Sequence, residues 1–159
     1  MISVRRADLK DPQDVALVVA LIDLYAQDPM GQGKALGAEV CGRLTSMLGT
    51  HPGALAFLAE KGGAPVGVAN CFLGMSSFTG AAVINIHDLA VNSEGRGKGV
   101  GRAMMAFVEE HARSMGCSRV TLEVSAKNLI AQGLYRSYGF EGVGPDAESV
   151  TYACMKPIL

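Results

Sequence analysis

The chain has 159 residues, which is enough for one compact domain with its own apolar core. Hydrophobic residues make up 49% of it and charged residues 18%, and the formal net charge is −1. This balance excludes a disordered chain, and the absence of any run of like charge argues against a nucleic-acid partner.

The first half of the chain predicts a strand, two helices and a meander of three strands. Asp11 and Pro12 are typical of a helix start, and the apolar residues after them recur at helical spacing. The turn "KGGA" and the break at Thr79 and Gly80 separate the meander strands. The predicted elements are a strand at Ile2–Arg6, helices at Asp11–Gln27 and Ala35–Leu48, and strands at Ala54–Glu60, Ala64–Gly74 and Gly80–Val91.

The second half predicts alternating helices and strands after a glycine-rich loop. Apolar residues three to four apart, including Met104, Met105 and Met115, predict a helix that packs on the core and stops at Gly116. The predicted elements are helices at Val100–Gly116 and Asn128–Gly139 and strands at Arg119–Ser125 and Ser149–Lys156. The order β-α-α-β-β-β-loop-α-β-α-β-β indicates an α/β chain with a mixed sheet, in one domain over residues 1–159.

Cysteines and histidines are scattered along the sequence. Cys41, Cys71, Cys117 and Cys154 form no C-x-x-C pair, and His51, His87 and His111 do not cluster with them as zinc ligands would. We therefore expect no metal site, and free thiols in a reducing cytoplasm.

The longest aliphatic run is Val15 to Ile22, between Asp14 and Asp23. It is too short to span a bilayer, so we interpret it as a core helix. The first residues combine arginines with aspartates before any apolar run, which is unlike a signal peptide. No membrane association is expected.

The stretch "EGRGKGVGR", Glu94 to Arg102, has glycine at every second position from Gly95 to Gly101. A strand, a glycine turn and a helix N-terminus together present unpaired backbone N–H groups and the positive end of a helix dipole. Arg96, Lys98 and Arg102 can add positive charge. The loop therefore predicts a phosphate or pyrophosphate site.

Spacing excludes two common phosphate motifs. A Rossmann fingerprint needs G-x-G-x-x-G, but these glycines alternate and follow an antiparallel meander. A Walker A loop needs glycine five residues before the Gly97-Lys98 pair and Ser or Thr after it, where this chain has Asn92 and Gly99. Nucleotide binding through this loop is thus the weaker alternative.

The spacing R-x-x-G-x-G, from Arg96 to Gly101, resembles the pyrophosphate loop of the GNAT superfamily of acetyl-CoA-dependent N-acetyltransferases. It follows "DLAV" at Asp88–Val91, and "NLIAQGLYRSYGF" at Asn128–Phe140 resembles the N-x-x-A-x-x-x-Y-x-x-x-G-F block of that family. The resemblance is sharpest from Ile84 to Phe140. It implies a central, mostly antiparallel mixed sheet of about six to seven strands with about four helices.

The same resemblance implies where acetyl-CoA, the co-substrate, would bind. The pantetheine arm would pair with the strand end, and Asn128 would contact it. Tyr135 would face the thioester sulfur, and a phenol, with an ordinary pKa of about 10, suits the role of acid rather than base. The implied cofactor-binding residues are Leu89, Ala90, Val91, Arg96, Gly97, Lys98, Gly99, Val100, Gly101, Arg102, Asn128 and Tyr135.

Three residues compete for the role of general base. Glu123 ranks first, because its twelve-residue interval to Tyr135 resembles that of the branch that acetylates protein N-termini. His87 ranks second, at a position where diamine-acetylating members carry Glu, and an imidazole titrates near neutral pH. Asp88 ranks third, since "DLAV" also resembles aminoglycoside 3-N-acetyltransferases. Strict alternation would put Asp88 on the opposite face from His87 unless the strand has a β-bulge.

Structural explanations compete with each of these roles. Tyr135 and Tyr138 fit a core helix face, Asn128 fits a helix N-cap, and Glu123 fits a solvated strand position. No cysteine occupies an expected nucleophile position, which favours direct attack by the acceptor amine in a ternary complex. A CoA-binding regulatory module without turnover is the alternative function.

The acceptor is the least determined feature. By the resemblance, its pocket is built from about residues 25–48 and 142–149, where Asp28, Glu39, Asp146 and Glu148 could attract a cationic amine. A small-molecule amine or a peptide N-terminus fits this description. The family also makes a homodimer possible.

Overall fold

The computed structural model describes residues 1–142 and 151–158. Within them, six strands form one sheet in the order β1-β2-β3-β4-β5-β6, and four helices flank it. Neighbouring strands are antiparallel except β4 and β5, which are parallel. The elements are β1 Ile2–Arg6, α1 Pro12–Ala26, α2 Ala38–Thr50, β2 Ala54–Lys61, β3 Ala64–Ser76, β4 Ala81–Val91, α3 Val100–Ser114, β5 Arg119–Ser125, α4 Leu129–Ser137 and β6 Thr151–Pro157.

The predicted mixed sheet and its helices are confirmed, with shifted boundaries. α2 begins at Ala38 rather than Ala35, because its N-cap Gly37 has a φ of 84°, a left-handed conformation that ends the preceding loop. The predicted order has two strands after the last helix. Within the described residues β6 is the one strand there, and Glu141 forms an isolated bridge. The predicted start of the last strand at Ser149 lies outside the described residues.

Two apolar cores lie on opposite faces of the sheet. β2 contributes to both, since Leu55, Phe57 and Ala59 face the core under α3 and α4, and the alternate residues face the core under α1 and α2. A strand that is covered on both faces is apolar on both, as β2 is from Ala54 to Ala59. Met104 and Met105 of α3 are buried as predicted, but Met115 is not, because α3 ends one residue before it.

A buried carboxylate fixes α1 against the first strand. The two terminal guanidinium nitrogens of Arg5, Nη1 and Nη2, donate to Asp14 at 2.8 and 2.7 Å, and the Asp8 backbone N–H donates to it at 2.7 Å. The hydrogen bonds from Arg5 hold the pKa of Asp14 below its usual range. This contact orients the helix whose C-terminal end reaches the candidate site.

No helix within the described residues is both long and apolar enough to cross a bilayer. Likewise, no group of three or more possible metal ligands occurs among them.

His111 of α3 is a weak point of this fold at acidic pH. Its ring packs edge-on against Phe57, with 5.2 Å between centroids, and its buried Nε2 has no hydrogen-bond partner among the described residues. Burial lowers the pKa of His111, and the positive charge of Arg6 lowers it further. The folded state therefore holds this imidazole neutral, while the unfolded chain binds a proton below a pH of about 6.5.

We predict that the wild-type protein loses stability between pH 7.5 and 5.5, because the unfolded state gains a proton at His111 that the folded state resists. His111→Gln should lose less over this interval, as measured by urea unfolding at both pH values. His87→Gln, at an exposed histidine, is the control and should retain the wild-type decline. Equal declines in wild type and His111→Gln would contradict the assignment.

Candidate functional site

The site begins where two parallel strands separate. β4 pairs with β5 only from Val83–Arg119 to Ile86–Leu122, although β4 continues to Val91 and β5 to Ser125. Residues 89–91 still pair with β3 on their other side. No described strand covers the β5-facing edge of this segment. Apart from the Val91 carbonyl, which accepts from Arg96 Nε, its backbone groups on that edge are open to a ligand that adds like a strand. Leu89, Ala90 and Val91, the strand residues predicted to pair with the pantetheine arm, form this segment.

The glycine loop joins this open strand end to α3. Gly97 and Gly99 have φ values of 70° and 83°, which are left-handed and favour glycine. Gly99 is also the N-cap of α3, with no side-chain cap. This conformation turns the chain into the helix without covering its first turn.

Five backbone N–H groups are unpaired at this turn. The first N–H of α3 with a backbone partner is that of Ala103, which donates to the Gly99 carbonyl. The five N–H groups, all before it in the chain, have no hydrogen-bond partner within the described part of the chain. Unpaired N–H groups at the positive end of a helix dipole are the kind of backbone arrangement that suits an anion. The five belong to Gly97, Gly99, Val100, Gly101 and Arg102.

The basic side chains of the loop bind protein groups instead of facing an anion site. Arg96 donates to Asp28, at 2.5 Å, and to the Val91 carbonyl, at 2.8 Å. Lys98 donates to the Glu94 carbonyl at 2.8 Å. Arg102 donates to Ser137 at 3.0 Å. In this structure the three basic side chains are bonded to protein groups, so the unpaired donors of the loop are its backbone N–H groups.

Lys61 is a loop neighbour that the sequence analysis missed. The Lys98 ammonium lowers the pKa of Lys61 by its proximity. Lys61 lies at the end of β2, far from the loop in sequence, so no local motif indicates the contact.

The three candidate bases lie on one face of the sheet. β4 has a bulge here, because Asp88 is paired with Asn70 while Ile86 is paired with Cys71, which leaves His87 as an extra residue. Ile84 and Ile86 precede the bulge and face the α3 core, whereas Ala90 after it faces the α1 core. His87 and Asp88 therefore both lie on the α1 face.

Glu123 reaches the same face from β5. Its neighbours Leu122 and Val124 face the α3 core, so the exposed Glu123 lies on the α1 side, one residue beyond the last β4–β5 pair. Across the sheet face, the His87 ring packs edge-on against Phe72, with 5.6 Å between centroids.

Tyr135 lies inside the α3–α4 core beneath the open strands. It is only 6% exposed, and its ring centroid is 5.9 Å from that of Phe140. Burial raises the pKa of Tyr135, and the neighbouring Tyr25 phenol and Cys154 thiol raise it further. The phenol is thus protonated at neutral pH. Tyr138 is partly buried and donates to the Arg102 carbonyl at 3.1 Å, so it joins α4 to the first turn of α3.

Asn128 is the N-cap of α4, where its side chain accepts from the Ala131 N–H at 3.1 Å. This cap uses Oδ1, and the amide nitrogen is the part of the side chain that could contact a co-substrate.

Tyr25, at the end of α1, is a second residue that the sequence analysis did not single out. Its hydroxyl donates to the Met30 carbonyl at 3.3 Å. Burial raises the pKa of Tyr25, and the charges of Asp88 and Asp28 raise it further. Tyr25 also raises the pKa of Tyr135, so its phenol is near enough to interact electrostatically with both the candidate acid and Asp88.

Two of the predicted acceptor-attracting acids are already paired. Asp28 accepts from Arg96, and Glu39 accepts from Arg43 at 2.6 Å. Asp146 and Glu148 lie outside the described residues.

Residues 18–140 match the model of the Acetyltransferase (GNAT) family. The chain belongs to this GNAT family. It is 30% identical over 132 residues to N-acetyltransferase 8F1 of Mus musculus, across 82% of this chain and 59% of that protein. The chain thus spans less than two thirds of the length of the curated relatives it matches.

Solved GNAT structures are similar in fold. An acetyltransferase of the GNAT family from Streptococcus pneumoniae has a TM-score of 0.72 and 19% identity, over 100% of both chains. An aminoglycoside acetyltransferase from an uncultured soil metagenomic sample, in complex with sisomicin, has a TM-score of 0.71 and 16% identity. That match covers 93% of this chain and 90% of the other. At these identities the similarity shows the fold alone.

Gly95 differs from the other glycines of the GNAT loop, since it is buried and serves packing. A Cβ added at Gly95 would lie 2.7 Å from Val91 Cγ1 and 3.2 Å from Val100 Cγ2. A Cβ at Gly97 would meet nothing within 4 Å. Gly95 therefore allows the strand end and α3 to approach closely.

We predict that Gly95→Ala lowers the free energy of unfolding by about 1–3 kcal/mol through overpacking. Gly74→Ala is the matched control, because a Cβ there has open space and the backbone conformation suits alanine. Chemical denaturation of both variants measures the difference. A Gly95→Ala protein as stable as the control would disprove the close contact.

Proposed function

We propose that this GNAT protein transfers the acetyl group of acetyl-CoA to a primary amine of a small molecule or a peptide N-terminus. The observation that carries the proposal is that β4 and β5 separate, and that groups suited to bind or protonate acetyl-CoA lie at each end of the opening. One end is the unpaired N–H cluster of the glycine loop, and the other is the buried, protonated Tyr135. An acyl-CoA fits this arrangement, since it has an anionic pyrophosphate, an amide-bearing arm and a thioester.

The residues that would hold acetyl-CoA follow from this geometry. The N–H groups of residues 97 and 99–102 would bind the pyrophosphate. The open edge of Leu89–Val91 would pair with the amide groups of the arm, and the Asn128 amide would hydrogen-bond to it. Bound acetyl-CoA would supply the acetyl group as an activated thioester.

The chemistry needs a base, an oxyanion donor and an acid. Glu123, His87 or Asp88, all on the α1 face, would accept a proton from the acceptor amine, in the order of preference given by the sequence. A backbone N–H near Leu89 or Ala90 would donate to the oxyanion. Tyr135 would donate its proton to the departing thiolate, and its raised pKa keeps that proton available at neutral pH.

Direct attack in a ternary complex is favoured over an acyl-enzyme. Cys71 is buried in β3 and Cys154 in β6. Burial raises the pKa of both thiols, so neither is the thiolate that nucleophilic catalysis requires.

The proposed acceptor is an amine, and the structure bears on which kinds of amine to test. The pairing of Asp28 with Arg96 and of Glu39 with Arg43 removes two of the acids that would attract a polycation. The aminoglycoside acetyltransferase of similar fold was solved with sisomicin, which makes aminoglycosides a test class for this chain. A cytoplasmic location and a homodimer remain predictions.

We predict that Tyr135→Phe lowers acetyl transfer by about 10- to 100-fold while acetyl-CoA still binds, because only the proton donor is lost. Turnover is measured by thiol release with spermidine, sisomicin, free amino acids and an alanine-terminated peptide. Tyr138→Phe, on the same helix, is the matched control and should keep most of the activity.

This experiment has three possible outcomes, and each has a different meaning for the proposed function. Turnover that falls in Tyr135→Phe but not in Tyr138→Phe supports the proposal and identifies the acceptor. Thermal stabilisation by acetyl-CoA without consumption of any amine would replace it with a non-catalytic acyl-CoA-binding module. Stabilisation by ATP and not by acetyl-CoA would overturn both.

A further inference from the structure

A buried amide lies directly across the strand pair from Asp88. Asn70 of β3 is 3% exposed, and its Nδ2 donates to Asp88 Oδ2 at 3.0 Å. Its Oδ1 is also buried and has no hydrogen-bond partner among the described residues. Since Nδ2 faces a carboxylate, the orientation of the amide is determined, and Oδ1 is the atom left over.

The lone Oδ1 is unusual for a core position. Buried carbonyl oxygens in folded proteins nearly always have a donor, because losing water without a replacement is costly. The surrounding strand is apolar, with Val68 and Ala69 fully buried beside Asn70, so an aliphatic side chain would fit packing better. This combination indicates that a bound ligand supplies the missing donor.

The β-bulge brings this amide into the candidate site. By inserting His87, it turns Asp88 to the α1 face, opposite Asn70 and just past the last β4–β5 pair. The titratable groups near Asp88 or on its face of the sheet come from four elements: the Tyr25 phenol from α1, the Cys71 thiol from β3, the adjacent His87 of β4 and Glu123 of β5. Asp88 and Glu123 are the carboxylates of this set, and no described cation is bonded to Asp88.

We propose that Asp88 and Asn70 form the subsite that binds the acceptor as a primary ammonium group. The Asp88 carboxylate and Asn70 Oδ1 each accept one N–H of the ammonium, while Asn70 Nδ2 keeps the carboxylate oriented. This inference rests on the proposed function and deepens it, because it selects one of the three candidate bases.

The proton balance of the reaction is complete with these groups. Asp88 takes one proton from the ammonium and later releases it to solvent. The neutral nitrogen forms a bond to the acetyl carbon, and the carbon–sulfur bond breaks. The nitrogen loses its second proton as the amide forms, and Tyr135 delivers one proton to the sulfur and regains one from the nitrogen. The sum is acetylated amine, free CoA thiol and one proton.

The test compares Asn70→Leu, Asp88→Asn and the double variant, with the best acceptor of the amine panel. Asn85→Leu is the matched control, since Asn85 lies on the same face of the neighbouring strand but bonds to Thr121 at 3.1 Å. We expect Asn70→Leu to raise the acceptor KM about 10-fold or more, and Asp88→Asn to lower kcat/KM about 100-fold or more. The KM for acetyl-CoA should stay within about 2-fold of wild type in both.

The double variant separates a shared subsite from two structural defects. If both residues bind the same ammonium, the loss in the double variant is smaller than the product of the single losses. The exchanged pair Asn70→Asp with Asp88→Asn keeps one amide and one carboxylate, so it should recover acceptor binding relative to Asp88→Asn. It also serves as the folding control if Asn70→Leu is unstable.

Two results would overturn the inference. Acceptor kinetics of Asn70→Leu within about 2-fold of Asn85→Leu, or multiplicative losses in the double variant, would exclude the subsite while leaving the transferase intact. A wild-type protein that binds no acetyl-CoA and acetylates no amine would instead refute the proposed function itself.

Discussion

The candidate site depends on the point at which β4 and β5 stop pairing. Beyond Ile86 and Leu122 the two parallel strands continue without bonding to each other, so one sheet has an open interior edge. An unpaired edge exposes backbone donors and acceptors that need partners. The glycine loop, the α4 N-terminus and Tyr135 follow or face these two strand ends, and the role proposed for each depends on this opening.

The bulge in β4 is the second constraint, and it acts on side chains rather than on backbone. Strand alternation alone would place His87 and Asp88 on opposite faces. One extra residue places both on the α1 face, where Glu123 also lies, and aligns Asp88 with the buried Asn70. The candidate bases thereby share the α1 face of the sheet, while the candidate acid lies in the core on the other face.

Tertiary contacts pair the basic side chains of the glycine loop with protein groups. Arg96, Lys98 and Arg102 were expected to face an anion, yet each is bonded to a protein group. Arg96 in particular joins the loop to Asp28 at the end of α1, so it links the proposed cofactor side to the proposed acceptor side. The unpaired donors of the loop are fixed N–H dipoles, whose orientation the left-handed Gly97 and Gly99 determine.

Sequence by itself determined the element order, the position of the glycine loop, the Asn128 cap and the presence of Tyr135 on the helix after β5, because these depend on local spacing and periodicity. Alternation could not determine the face of Asp88, since a bulge reverses it. Nor could it find the contacts of Tyr25 with Asp88, of Lys61 with Lys98 and of Asn70 with Asp88, because each joins residues 18 or more positions apart in the chain. Only the tertiary structure decided these contacts, because strand pairing and helix packing join residues that no local pattern relates.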